Sequence, residues 1–331
     1  MSLPRLVNLL DDFALGGVSR GLGIFGASPV RAVAETRVEA IAPTALIAPK
    51  LDAEIIVTHF PPNWRRLAFL ASLKGRNPRA CILHVEHSYT RNWEAANVAV
   101  PSRFRLMLRL ALNMIDHVVC VSHGQAAWLR EVTGVPQSKV DVIYPYSDNP
   151  GLDDLPLPNF AAPRPLKVGS YGRFHPAKGF EQLIAAYQAG AMPGTELLIG
   201  GYGDLEADLR TLAGDTPGIH FLGKVERVAD FVGQCDIIAI PSRWEAYGQV
   251  ANEARQGGRP IFVSAADGLP EQVGDAGLII DFASADAVRQ VFASLDRAAL
   301  LRMAQAGRAA TAGCGPARHQ QWAELITRLT S

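Results

Sequence analysis

Two cations and two carboxylates stand where short apolar runs give way to loops. Their types suit a ligand that is both a phosphate and a polyol. Arg173 and Lys178 lie in Tyr171-Gly172-Arg173-Phe174-His175-Pro176-Ala177-Lys178-Gly179, between the apolar run Leu166–Tyr171 and the helix-like FEQLIAAY. A guanidinium can clamp a phosphate through two parallel hydrogen bonds, and an ammonium adds a point charge to the same group. Glu245 and Glu253 lie in PSRWEAYGQVANEARQGG, after the run Ile237–Ile240. Glu245 falls in the loop, and Glu253 about two turns into the helix that Gly257-Gly258 ends. Between them, the amides around Ala246, Tyr247 and Gly248 open that helix and favour negative charge. Glutamates accept hydrogen bonds from hydroxyls while amides and cations hold phosphates. Each residue taken singly also has a plainer reading, as a solvated charge on a loop or helix face.

The elements that must position these residues alternate along the chain. Strands are expected at Leu6–Leu10, Ile55–Val57, Ala80–His84, Val118–Val121 and Val140–Tyr144 in the first half. In the second half they are expected at Leu166–Tyr171, Glu196–Ile199, Ile219–Leu222, Ile237–Ile240, Ile261–Val263 and Leu278–Ile280. Amphipathic segments such as LEADLRTLA fall between them. Strands apolar on both faces, alternating with helices, read as parallel sheets covered by helices. The stretch 145–165, PYSDNPGLDDLPLPNFAAPRP, is rich in proline and acids and reads as a linker. The expectation is an α/β chain of two Rossmann-like domains, 1–150 and 151–331, with a cleft between them. Ligands of open parallel sheets sit outside the carboxyl ends of the strands, where both charged loops lie.

The composition fits. Of 331 residues 48% are hydrophobic and 19% charged, enough apolar material for real cores and too much for a disordered chain. Basic and acidic side chains number 32 each, which argues against a nucleic-acid partner. The first 150 residues carry 16 basic and 12 acidic groups and the remainder 16 and 20, a mild asymmetry between the halves. Cys81, Cys120, Cys235 and Cys314 share no ligand-like spacing, so a zinc site or disulfide framework is not expected and a reducing cytoplasmic compartment is. Acids interrupt the apolar run of MSLPRLVNLLDDFALGG, so no cleavable signal is expected. No run of about 18 apolar residues suggests a membrane span.

Four further motifs have two readings each. Gly21-x-Gly23-x-x-Gly26 is a formal dinucleotide fingerprint, but ten residues separate it from the first strand, where the glycines should follow directly. Gly16-Gly17 is better placed to bring backbone amides to an anion at a helix start, or to form an ordinary turn. His84-x-Glu86-His87 has metal-ligand types, with no further ligand run to support it. The segment PSRFRLMLRLALNMI sets Arg103, Arg105 and Arg109 among apolar residues. It reads as a core helix with solvated arginines or as a helix resting on an anionic membrane surface, to which Trp64-Arg65-Arg66 adds a little.

Taken together, Arg173 and Lys178, the Glu245/Glu253 pair, the downstream GLPEQVGDAGLII and the early Gly16-Gly17 with Arg20 resemble the retaining GT-B glycosyltransferases of family 4. The resemblance runs through both domains, with Glu-x7-Glu and Gly-Leu-Pro-Glu its most specific part. It implies a GT-B fold, two Rossmann-like domains facing across a central cleft, with a nucleotide-sugar bound by the C-terminal domain and an acceptor by the N-terminal one. It implies that Arg173 and Lys178 hold the diphosphate. Glu245 and the amides of Ala246, Tyr247 and Gly248 would contact the transferred sugar, and Glu253 the ribose. Val225, after FLGKV, would meet the base and Glu271 would lie near the donor pocket. Gly16 and Gly17 would close over phosphate and sugar. His59, in Thr58-His59-Phe60-Pro61, matches a family histidine near the reacting sugar, and His87 a second one; Arg20 and His87 would lie on the acceptor side. The last segment, HQQWAELITRL, would form a helix that packs back on the N-terminal domain.

The implied activity is transfer of a sugar from a UDP- or GDP-sugar to a glycan or lipid-linked acceptor, in polysaccharide or glycolipid synthesis. No cofactor or metal is expected, since cations and a helix start stabilise the leaving diphosphate and no Asp-x-Asp pair ends a strand. Asp204-Leu205-Glu206-Ala207-Asp208 reads as a solvated helix turn. The expected place is cytoplasmic, extending to peripheral contact with the inner face of the membrane. Two features depart from the family. Tyr144-Pro145-Tyr146-Ser147 replaces the usual Asn-Gly, and the N-terminal domain is short. Competing readings are a catalytically silent GT-B module that binds nucleotide-sugar or glycan, a GT-B nucleotide-sugar epimerase, and a nicotinamide oxidoreductase.

Overall fold

A computed structural model of the chain describes residues 3–11, 21–146 and 148–331. They fall into two compact units, Met1–Asp148 with Gly313–Ser331, and Asn149–Ala312. Each unit is built on one six-stranded sheet whose neighbouring strands are all parallel.

In the first unit the strands are β1 (Arg5–Leu10), β2 (Glu35–Ala40), β3 (Ile55–Thr58), β4 (Cys81–Glu86), β5 (His117–Cys120) and β6 (Val140–Val142), in spatial order β2-β1-β3-β4-β5-β6. The order reverses at β1 and β3, so the crevice outside their carboxyl ends is the place the topology provides for a ligand. The interior strands are apolar on both faces because helices cover both sides; β3 and β5 are buried at every residue. Edge strand β2, ETRVEA, is largely exposed and carries charges, which suits a sheet edge. The core gathers Phe60, Phe69, Leu73, Leu108 and Trp128. The final helix, Cys314–Thr330, belongs to this unit. Its Trp322 packs edge-on against Phe25, ring centroids 4.9 Å apart, and its Arg318 donates to the Pro145 carbonyl at 2.7 Å.

The second unit contains β7 (Leu166–Arg173), β8 (Thr195–Tyr202), β9 (Ile219–Gly223), β10 (Ile237–Ile240), β11 (Ile261–Val263) and β12 (Gly277–Ile279), in the order β12-β11-β10-β7-β8-β9. Here the switch lies between β7 and β10. One core packs Phe174, Phe180, Leu183 and Phe262, and a second packs Tyr171, Phe231, Ile238 and Leu269. The proline-rich stretch is more than a spacer. Leu152 and Phe160 are buried in these two cores and fasten it to the second unit.

Every strand expected from the sequence coincides with an observed one. β2 was not expected, since its alternation of charge and small residues carries no strand-like apolar run.

Candidate functional site

In the second unit, three loops meet at the carboxyl ends of the adjacent strands β11, β10 and β7. The loop after β7 carries Arg173 at the strand's last position and Lys178 at the end of a 3-10 turn, Pro176–Lys178. His175 shapes this turn by accepting the Ala177 amide on Nδ1 at 3.1 Å, and its ring stands edge-on to Trp244. The Ala177 carbonyl in turn accepts the Arg243 amide at 2.7 Å, which ties the loop to the one after β10. Lys178 pairs with Glu245, and Ser242 Oγ lies 3.4 Å from the same carboxylate oxygen. Arg173 is exposed, and its side chain makes no hydrogen bond or ion pair among the described residues. One cation of the pair is therefore committed and the other is available.

Glu245 is fixed from behind by the loop after β11. Its amide donates to Asp267 Oδ2 at 3.1 Å, and its carbonyl accepts the Gly268 amide at 3.0 Å. Asp267 has φ of 42°, a left-handed conformation that aspartate tolerates better than most residues. Gly248 opens the helix Gln249–Gln256 at φ 92°, and a Cβ there would stand 2.3 Å from Leu269 Cδ2, so glycine is required. Gln272 seals the turn by donating to the carbonyls of Tyr247 and Gly248 at 2.5 and 3.1 Å. Ala246 is half-buried, and Tyr247 lies beneath the surface with its hydroxyl 3.5 Å from Asn252 Oδ1. Glu271, beside Gln272, is exposed.

Glu253 is only 4% exposed. Its Oε2 accepts the Tyr171 hydroxyl at 2.6 Å and its Oε1 the Asn149 side-chain amide at 3.0 Å. Charge-assisted bonds of this kind are the strong ones and make burial of a carboxylate tolerable. Val225 follows β9 and packs, half-buried, on the cluster that contains Tyr171 and Phe231.

In the first unit, His59 follows β3 and His87 follows β4, side by side at the switch point. Asn8, fully buried on β1, presents Oδ1 to His59 Nε2 at 2.9 Å, and its amide nitrogen faces the Arg37 carbonyl. A carbonyl oxygen only accepts, so His59 carries its proton on Nε2. The Nδ1 of the neutral ring then accepts from His87 Nε2, 3.2 Å away, and the two rings stack. Burial first, then His87 and His84, holds His59 well below the usual imidazole range; burial also pushes His87 down to about 4. Both rings are neutral at pH 7. They line a small, largely apolar cavity of about 30 Å³ with Phe25, Val85, Ile143 and Trp322. His84 is turned inward to Thr58 at 2.9 Å and Glu86 at 3.4 Å. Among the described residues no three His, Cys, Asp or Glu side chains gather where they could hold a metal ion.

Gly16, Gly17 and Arg20 lie outside the described residues. Gly21, Gly23 and Gly26 stand at a 3-10 turn, Leu22–Gly26, rather than directly after β1. Reading residues alone passed over Asn8, Tyr171, Asn149 and Asp267. Only Asn8 gave a signal, as the one polar side chain inside the run LVNLL.

Two family models match the chain in succession. Residues 29–148 match Glycosyltransferase Family 4 and residues 165–295 match Glycosyl transferases group 1. The chain belongs to this glycosyltransferase family. The GT-B fold is supported over nearly the whole length. Sucrose-phosphate synthase from Thermosynechococcus elongatus superposes with a TM-score of 0.77 at 19% identity, covering 98% of this chain and 99% of that one. Anabaena HepE in complex with UDP and glucose gives 0.74 at 18% identity, covering 98% and 100%. Among curated relatives of this family 4 chain, the D-inositol 3-phosphate glycosyltransferase of Mycolicibacterium smegmatis is 30% identical over 183 residues, 50% of this chain and 42% of that protein. The GDP-mannose-dependent monoacylated alpha-(1-6)-phosphatidylinositol monomannoside mannosyltransferase of Corynebacterium glutamicum is 34% identical over 157 residues, 43% and 41% of the two chains. The matched region thus spans less than half the length of these relatives.

Proposed function

We propose that the chain transfers a sugar from a UDP- or GDP-sugar to a glycan or lipid-linked acceptor, with retention of anomeric configuration and without a metal ion. The observation that carries this reading is the meeting of the β7, β10 and β11 loops around the Lys178–Glu245 pair, with Arg173 uncommitted on the same loop. The neighbours and relatives agree with it: HepE was solved with UDP-glucose, and the Corynebacterium relative is named as GDP-mannose-dependent with a lipid acceptor.

On this reading the donor's diphosphate draws Lys178 away from Glu245 and engages Arg173. The freed carboxylate of Glu245 then accepts hydrogen bonds from the sugar hydroxyls, with the amides of Ala246 to Gly248 alongside. Glu253 takes the ribose hydroxyls, Val225 meets the base, and Glu271 borders the pocket. Fixed cations and amides stabilise charge as it develops on the leaving phosphate, with no reorganisation at the moment of reaction. The bond from the anomeric carbon to the phosphate oxygen breaks as the acceptor oxygen attacks from the same face, and that phosphate oxygen takes the acceptor's proton. In the first unit, His59, with both ring nitrogens engaged, positions His87, whose Nδ1 is left to accept from the acceptor's hydroxyl, with Gly16, Gly17 and Arg20 assigned to the adjoining loop.

A lipid-linked acceptor calls for contact with a bilayer. None of the described helices is long and apolar enough to cross a membrane. The helix Pro101–Asn113 exposes Leu106 and Leu110, with Trp64 exposed under the Arg103 guanidinium, 5.4 Å from its ring centroid. Apolar anchors beside a cation suit an anionic bilayer surface.

Thermal unfolding against UDP, GDP and ADP with EDTA present tests the donor site. A ligand at a hundredfold its Kd adds about 2.7 kcal/mol. A rise of several degrees that is lost in Arg173→Ala is expected; no shift with any nucleotide overturns the reading. NMR of the product of a transfer assay reports the anomeric configuration, and inversion would remove front-face attack.

A further inference from the structure

We infer that Tyr171 is a positioning residue that sets Glu253 to recognise the ribose of the nucleotide, and so determines discrimination between ribose and 2′-deoxyribose. The inference rests on the donor reading above, in which Glu253 meets the ribose.

Three observations carry it. The first is the bond itself. Tyr171 Oη donates to Glu253 Oε2 at 2.6 Å, with both side chains buried. A carboxylate oxygen has two lone-pair sites, so a phenol on one fixes the direction in which the other points. The second is location. Tyr171 immediately precedes Gly172-Arg173, the phosphate arm, on the strand at the switch point. The third is packing. The Tyr171 ring lies 5.0 Å from that of Phe231, within the cluster on which Val225 rests. Tyr171 therefore bonds the residue assigned to ribose, lies two residues before the one assigned to phosphate and belongs to the cluster on which the one assigned to the base packs. Asn149 holds the other oxygen of Glu253 at 3.0 Å, from outside that cluster. Without the phenol, the carboxylate loses the donor that sets the direction of Oε2 about its last torsion, which has broad wells.

The test compares binding of a nucleoside diphosphate with its 2′-deoxy counterpart. The probes are UDP and dUDP, GDP and dGDP, and ADP and dADP, titrated calorimetrically into wild type, Tyr171→Phe, Glu253→Gln and the double variant. Loss of a hydrogen bond to a charged buried group corresponds to about tenfold in affinity or more. Wild type is expected to favour the ribonucleotide by about that factor, and Tyr171→Phe to show nearly none of the preference. A purely structural role would weaken both nucleotides equally and leave the ratio untouched, which overturns the inference while sparing the donor reading. If Tyr171 acts through Glu253, adding Tyr171→Phe to Glu253→Gln changes the ratio no further; additive effects overturn the inference. Tighter ribonucleotide binding by Tyr171→Phe also overturns it, since the phenol would then be competing with the ribose. If no nucleotide binds wild type, the donor reading fails and the inference with it. A melting curve for each variant confirms the fold, and the cycle can be read from Glu253→Gln with Asn149→Ala should Tyr171→Phe not fold; there, a ratio set by Asn149 alone counts against Tyr171.

Discussion

Gly179 approaches Pro241 so closely that a Cβ on the glycine would stand 2.1 Å from the proline's carbonyl oxygen. This close approach lets the loop after β7 lie against the loop after β10, where Lys178 pairs with Glu245. At φ 64° the backbone also lies in the left-handed region. Gly179→Ala therefore meets both a strained conformation and a backbone obstacle. It should lower stability by about 2 kcal/mol or more, read as a drop in urea midpoint, and weaken nucleotide binding more than a surface change of equal stability cost.

The Lys178–Glu245 pair predicts opposite effects for two properties. Glu245→Ala removes the group assigned to the transferred sugar but frees Lys178 for phosphate. Transfer should fall by about 10²-fold or more, while affinity for the nucleoside diphosphate is kept or rises. Parallel loss of both would show that Glu245 serves only to shape the loop. Arg173→Ala should do the reverse, with most of the loss in nucleotide affinity, about tenfold or more.

His87 gives a pH dependence with a definite sign. Its folded pKa is pushed down to about 4, by burial above all, from an ordinary value near 6.5. Between those values the unfolded chain binds the proton and the folded one does not. This group's contribution is thus fully present above about pH 6.5 and declines as pH falls to about 4. Urea midpoints at pH 7, 5.5 and 4.5 should fall less steeply for His87→Gln than for wild type. Identical slopes would mean that the imidazole titrates as an exposed one.

On the membrane side, Arg105 pairs with Glu94 and Arg109 donates to the Val132 carbonyl at 3.1 Å, whereas Arg103 stacks on exposed Trp64. The arginines of this helix are therefore unequal. Vesicles rich in anionic lipid should sediment the protein at low salt. Arg103→Glu should reduce this several-fold, and Arg105→Glu should act mainly through stability. Indifference of the wild type to such vesicles would end the proposal.

How much of this was readable in the residues divides by cause. Strands such as Ile237–Ile240 announce themselves because a doubly covered parallel strand must be apolar throughout. The charged edge β2 obeys no such demand and was invisible. That Lys178 and Glu245 come together was legible because each follows a strand of one parallel sheet, whose carboxyl ends lie side by side. Tyr171 was read only as the end of a strand, since nothing local tells a core tyrosine from one whose hydroxyl meets a carboxylate 82 residues on. Asn149 and Asp267 were hidden for the same reason: their partners are distant in sequence, and one chain without its fold does not show who faces whom.

The final helix carries a consequence for how the molecule is made. Residues 149–312 form a contiguous unit, whereas the first unit draws its last helix from residues 313–331. During vectorial synthesis the second sheet can close while Phe25 still awaits Trp322 and Asp141 still awaits Arg328. The first unit is thus begun early and stays incomplete until the closing residues emerge. The two halves are finished in the reverse of the order in which they are begun.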